Sequence, residues 1–316
     1  MLCCDGVLAP GANMSVRAIF CVLLSLLFSG CSIHPVPEEV TGVDTYHIAR
    51  QIRCETREAL IDFLMSQFKR MAKDGNSTAH ELALRYEGNR ELISDFHPNL
   101  FKGPNTRHFY NIIYTSAIAY SFDLTMSEDN NLGLGANLLG PWQNPFTLGL
   151  GANGNRQRSN ERLFTLTDNF QFLLARLNHP KPSGLRYCDN QIAGPNFVYP
   201  IAGQIGVHKT MKTFFELTIL AALSGDATTK PGAVDTPTMT DILKFTTTVD
   251  FTGSPRVVFA PIGNGLQFTD ASATGYLRRS DVHQVTIALA VTPSVMLDIG
   301  PLRGFLFWGR AARANT

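Results

Sequence analysis

The chain lacks an excess of charge of either sign. Its 27 Lys and Arg balance 26 Asp and Glu, for a formal net charge of +1. With no Lys/Arg cluster, that balance excludes the electrostatic footprint of a nucleic-acid-binding protein and offers no polybasic membrane patch. Long apolar runs are missing from the body of the chain. The most apolar internal stretch, Phe214 to Leu223, contains Glu216 and falls short of the ~20 residues a spanning helix needs. Metal-ligand spacing is absent: His47, His97, His108, His179, His208 and His283 are scattered. Cysteine is sparse, with 6 in 316 residues.

Residues 14 to 32 carry the clearest local signal. Arg17 is a positive n-region, Ala18 to Phe28 form an apolar stretch too short to span a bilayer, and Ser29-Gly30 are small residues just before Cys31. Met1 to Asn13 places Asp5 where positive charge belongs, so Met14 is a candidate start.

This segment resembles the lipobox of bacterial membrane lipoproteins, with Phe28 where most of that family carry Leu. The resemblance implies that Cys31 receives a diacylglycerol and fatty acyl chains and becomes the mature N-terminus. Ser32 follows it, rather than the aspartate associated with inner-membrane retention. The resemblance therefore implies an outer-membrane lipoprotein facing the periplasm. Lipidation would use Cys31, and cleavage would remove Cys3, Cys4 and Cys21, leaving Cys54 and Cys188. In an oxidising compartment such a pair reads as a disulfide; the alternative is two separately buried cysteines.

Periodicity sets out the rest. The expected divisions are a leader (1–30), a Pro-containing tether (31–43), a helical region (44–98), a β-rich body (105–292) with a helix at about 208–223, and a tail (293–316). Ile48, Ile52, Leu60, Phe63 and Leu64 form a helical stripe behind a cap at Asp44 or Thr45, and Asp74-Gly75 ends it. From Phe109 large residues alternate with small or polar ones to Met126, which predicts a strand. Glu128 to Asn131 reads as its turn. Leu132-Gly-Leu-Gly-Ala-Asn137 recurs at Leu148 to Asn153, and residues 109–176 read as an antiparallel meander. Leu243 to Phe251 and Val285 to Val291 alternate again, and Gly263-Asn264-Gly265 signals a hairpin. The expected fold is α+β, with N-terminal helices and a middle helix packed on antiparallel sheet, a β-sandwich.

No motif completes a chemistry. Gly149 to Gly154 satisfies GxGxxG, but Asn155 to Ser159 follow with no helical period, so it reads as a glycine-rich turn. His80-Glu81 lacks the second histidine of a zinc-protease helix. Ser66-Gln-Phe-Lys69 has the SxxK spacing of penicillin-recognising enzymes without SDN or KTG, and no GxSxG elbow exists. Glu128, Asp129 and Asn130 lack the EF-hand pattern. Arg156, Arg158, Arg162 and Arg278-Arg279 are modest basic spots for an anionic partner or for solubility. No catalytic, cofactor-binding or metal-binding residue is assigned, and no cofactor is expected.

Two classes of function follow. The first is a lipid-tethered, non-enzymatic envelope protein that binds or scaffolds another envelope component; in a variant of it, the long strand and glycine-rich repeat enter a membrane as β-hairpins in an oligomer. The second is an envelope hydrolase whose site gathers distant residues such as Asp123, Asp189, His208 or His283.

Overall fold

The computed structural model describes residues 35–36, 43–140, 146–191, 194–221, 223–224, 236–258 and 267–291. Cys31, Gly263-Asn264-Gly265 and the 293–316 tail lie outside them. The fold is α+β: a helical body lies against one end of an antiparallel sheet of five strands.

The long helix α1 (Thr45–Lys73) starts where the Asp44 side chain accepts from the His47 N–H at 2.8 Å. It stops at Asp74-Gly75. Gly75 takes φ +89°, the Asn76 N–H reaches the Met71 carbonyl, and the Gly75 N–H reaches that of Ala72. That paired bonding satisfies carbonyls the helix end would orphan, and the left-handed φ suits glycine. Ile48, Ile52, Leu60, Leu64 and Phe68 are wholly buried on α1. Around it pack α2 (Ser77–Gly88), α4 (Phe170–Ala175) and α5 (Val207–Leu220). The start of α5 has no side-chain cap of its own. Glu55 of α1 supplies one, accepting from the N–H groups of Ile205, Gly206 and Val207 at 2.8, 2.8 and 2.9 Å. Cys54 and Cys188 form a disulfide with Cα atoms 5.6 Å apart, tying α1 to the loop after α4. Closing so long a loop contributes about 4–5 kcal/mol in the chain-entropy model.

The strands are β1 (Ala117–Gly140), β2 (Phe146–Asn169), β3 (Thr238–Gly253), β4 (Arg256–Val258) and β5 (Gln267–Ala290). Their order is β2-β1-β5-β3, with β4 also on β5, and every neighbouring pair is antiparallel. The described strands form one sheet, so the second layer is helical and the expected β-sandwich is replaced by helix on sheet. β1, β2 and β5 each run 24 residues, roughly 80 Å at about 3.3 Å per residue.

Four further expectations are corrected. The strand does not begin at Phe109, because Pro104–Thr115 is a helix, α3, with Pro104 in its first turn. Phe109, Tyr110, Ile112, Ile113 and Tyr114 are all buried on it. Thr106, Phe109, Tyr110, Ile113 and Tyr114 follow helical spacing, with Arg107, Asn111 and Thr115 opposite, but Tyr110, Ile112 and Tyr114 also fit a period of two over so short a window. Glu128 to Asn131 is not a turn but the middle of β1, paired residue for residue with Arg158 to Asn155 and Arg279 to Tyr276. Cross-strand partners on both sides override a locally turn-like composition. The glycine-rich repeat is likewise strand rather than turn. Its copies pair with each other, Gly135 opposite Gly151 and Ala136 opposite Leu150. Strand β2 ends at Asn169, which caps α4 through the Phe172 N–H, so the meander expected to run to residue 176 stops short.

Candidate functional site

The side chains weighed for chemistry are kept apart. Ser66 donates to the Phe63 carbonyl at 2.7 Å, while Lys69 pairs with Glu87 at 2.8 Å, so no Ser–Lys couple exists. His80 is exposed on α2. Asp123 lies on the sheet face away from the helices and accepts from Thr125 at 3.1 Å. Asp189 caps its own loop through the Arg186 N–H at 2.7 Å. His208 sits in the first turn of α5, and His283 is buried on β5. Among the described residues no group of three His, Cys, Asp or Glu is placed to hold a metal ion.

The sheet itself carries the unusual geometry. Its proximal part has a core beneath it: Ile118, Tyr120, Phe122, Leu124 and Met126 of β1 and Val285, Ile287 and Leu289 of β5 face the helices and are buried. Phe122 stacks on Phe164 at 4.5 Å. Beyond Met126 the helical layer ends, yet the strands continue and the alternation resumes. On that same face follow Leu132, Leu134, Ala136 and Leu138 of β1 and Ala152, Leu150, Leu148 and Phe146 of β2. Leu277, Ala273 and Ala271 of β5 and Val249, Phe251 and Val257 of β3 and β4 complete the band. Leu134 and Leu150 are each 53% exposed and Phe251 66%. The small residues at its centre, flanked by Leu134, Leu150 and Val257, form an open apolar depression of about 530 Å³.

The opposite face is mostly polar or small, with Leu163, Ile242, Val282 and Val258 as exposed apolar exceptions. Distally it holds Asn131, Gly133, Gly135 and Asn137 of β1 against Asn155, Asn153, Gly151 and Gly149 of β2. Gly133 is needed there, since a Cβ would stand 2.4 Å from Thr274 Oγ1 and 2.9 Å from Asn153 Oδ1. Its charges are paired: Arg256 with Asp270 at 2.8 Å, and Arg278 with Asp250 at 3.5 Å.

Between core and apolar band runs a belt of charge. Glu128 pairs with Arg158 and, at 3.2 Å, with Arg279; Arg279 Nε donates to Asp281 at 2.9 Å. Tyr199 donates to Asp281 at 3.1 Å and also contacts His283 Nε2, while His283 Nδ1 is buried without a partner. Burial lowers the His283 pKa below its ordinary 6.5. The belt also holds the chain end nearest the leader. Asn160 donates to the Pro35 carbonyl at 3.1 Å and Arg279 to that of Val36 at 2.7 Å.

Sequence reading located Arg158, Arg279 and Glu128 but treated the arginines as isolated and the glutamate as part of a turn. Only the register brings them together, and no local spacing encodes it. At the other end of the sheet Arg53 of α1 grips Asp168 of β2 bidentately at 2.7 and 2.6 Å, and that hydrogen bonding raises the Arg53 pKa.

Residues 34–295 match the family described as "Uncharacterised protein y4kA". A relative of the same description from Sinorhizobium fredii (strain NBRC 101917 / NGR234) is 31% identical over 279 residues, spanning 87% of this chain and 83% of the relative. Among solved structures, the InvG secretin domain β-barrel of the Salmonella SPI-1 injectisome overlaps 63% of this chain and 69% of its own, at 9% identity and a TM-score of 0.22. The open-gate InvG secretin (residues 176-end) overlaps 57% and 62%, at 10% identity and a TM-score of 0.22. Overlap at that level bears on neither fold nor function.

Proposed function

The chain belongs to the Y4kA family, and we propose that it is a lipid-anchored envelope protein whose two long hairpins enter the outer membrane as wall segments of an oligomeric β-barrel. The observation that carries this reading is the apolar band beyond the core. Most of this face stays exposed among the described residues, and an exposed apolar patch of that kind calls for an apolar partner; in a bilayer it is the lipid-facing surface. The band occupies Leu132–Gly140 of β1 and Phe146–Gly154 of β2, nine residues per strand, against the ~9–11 that cross hydrocarbon. Apolar-out, polar-in alternation is the signature of transmembrane strands.

The anchor and the belt fit the same placement. Pro35, held at the belt, lies four residues after Cys31, so a lipidated Cys31 is within about 14 Å of it. The band begins a few residues along each strand from the belt, roughly 7–17 Å. Acyl chains on Cys31 therefore reach the bilayer beside the band. The helical body would sit outside the barrel wall against the membrane surface. The polar face, uncovered by the helices over its whole length, would line a continuous aqueous lumen. This narrows the expected envelope-binding role to a membrane-embedded one, and the partner becomes the lipid bilayer itself.

The test separates hairpins from anchor. The leader through Cys31 is exchanged for a cleaved signal with no lipid-accepting cysteine, and membranes are washed with carbonate. Retention in the pellet is expected, because embedded strands do not depend on the acyl chains. Complete release of a folded, disulfide-bonded protein would sink the proposal.

A further inference from the structure

Resting on the membrane-inserting reading, we infer that the two edges of the sheet are completed by a second copy of this chain: β2 of one copy pairs antiparallel with β3, and beside the band with its continuation β4, of the next, head to tail. The sheet order leaves β2 as one outer strand and β3 as the other; β3 stops at Gly253, opposite Gly275, and β4 continues that edge along β5 beside the band, with no further strand beyond them among the described residues. Open sheet edges are not tolerated in hydrocarbon, where each unsatisfied backbone group costs several kcal/mol. Some partner strand must therefore cover both edges along the band.

Strand sense and face decide which partner fits. Each neighbour in β2-β1-β5-β3 is antiparallel, so β2 and β3 run in opposite directions. Placing β3 of one copy beside β2 of an identically oriented copy gives an antiparallel seam. It also keeps apolar faces on one side and bands at one height. A two-fold β2–β2 seam fails one of these conditions. Rotation about an axis normal to the sheet sets one copy's band against the other's body. Rotation about an axis along the strands puts an apolar face beside a polar one. A β3–β3 seam fails in the same way. Head-to-tail contacts repeat and close into a ring, and each copy then contributes the same strands to the wall.

Two of the exposed apolar side chains on the mostly polar face lie on its edge strands and fit the same seam. Leu163 on β2 is 66% exposed and Ile242 on β3 is 54% exposed. Leu163 pairs across to Asp123, Asp123 to Gln284, and Gln284 to Lys244. Ile242 lies two residues along β3 from Lys244, so the two apolar side chains occupy opposite edges at nearly one height. Within one chain three inter-strand gaps separate them, about 14 Å at ~4.8 Å each. The seam sets them side by side across neighbouring copies.

Leu163→Cys and Ile242→Cys, made singly and together, test the inference in native membranes with a bis-maleimide spanning about 8 Å, shorter than the ~14 Å intramolecular separation. Cys54 and Cys188 are bridged and do not compete. The double variant is expected to give a ladder of dimers, trimers and larger species. Co-expressed single variants are expected to give dimers only, and each single variant alone to stay monomeric. Dimers from either single variant alone would overturn the seam in favour of a two-fold edge. A double variant that resists carbonate extraction yet fails to cross-link would overturn the seam while leaving membrane insertion standing. A ladder from protein that carbonate releases would do the reverse.

Discussion

The two halves of the same sheet obey one alternation and reach opposite outcomes. Near the helices the face carrying Tyr120, Phe122 and Leu124 is buried by protein; past the belt Leu134, Leu150 and Phe251 on that face stay more than half exposed. Residue type does not distinguish them, and neither does strand propensity. What differs is the cover: α1, α4 and α5 reach only as far as the Met126 level, and the ion pairs of Glu128, Arg158 and Arg279 mark where that cover stops. Period 2 specifies a two-sided strand, therefore, and leaves open which solvent meets the apolar side.

The largest effect expected comes from charge in the distal half. Leu134→Arg with Leu150→Arg should cost about 2–4 kcal/mol per arginine in a bilayer midplane, enough to abolish membrane retention of the protein lacking its lipid. The urea midpoint of the water-soluble fold should hardly move. Equal retention of variant and parent after carbonate washing would remove the distinction between the halves. Next in size, Phe122→Ala should destabilise folding by about 3–5 kcal/mol, as expected for an emptied aromatic core site. Leu148→Ala in the distal half should cost under about 0.5 kcal/mol. Urea denaturation of the two side by side checks the contrast, and comparable losses would show that the distal face is buried in water too.

The smallest effect lies at the border. His283 is held neutral by burial, facing Tyr199, Asp281 and Arg279, with Asp123 also acting on it. Its folded pKa is below 6.5, so its contribution to stability is complete above that pH. As pH falls through 6.5 the unfolded chain takes up the proton first and stability declines toward the folded pKa, by at most about 1.4 kcal/mol per pH unit. Urea midpoints between pH 7.5 and 5 should show this slope in the parent and a shallower one in His283→Gln. Identical slopes would mean that the belt histidine is not shielded.

Much of the architecture is legible in the residues. The Asp44 cap, the Asp74-Gly75 stop and the alternation from Leu243 to Phe251 each rest on short-range physics, and each appears where expected. Cysteine arithmetic found the Cys54–Cys188 bridge. The misreadings share a cause. Glu128 to Asn131 is turn-like only in isolation; with Arg158 and Arg279 opposite Glu128, straight strand satisfies the charges better than a turn. The helix at Pro104–Thr115 does carry a stripe, Thr106, Phe109, Tyr110, Ile113 and Tyr114, but Tyr110, Ile112 and Tyr114 also fit a period of two, and the strand that follows extends that alternation. For the candidate site, the leucines and glycines of the repeat were visible, but their self-pairing in one hairpin was not, because register is a property of two strands.

The cap at the start of α5 has a kinetic side. Glu55 receives the amide hydrogens of residues 150 to 152 positions later, so that end of α5 is completed by nothing near it in the chain. A helix finished only by so distant a carboxylate must wait for a costly loop closure before its first turn is secured. As the polypeptide is threaded, α1 can settle early on local signals, whereas α5 acquires its boundary only when the two meet. Glu55 thereby makes the order of assembly a property of one side chain, checkable as a slower refolding limb in Glu55→Gln.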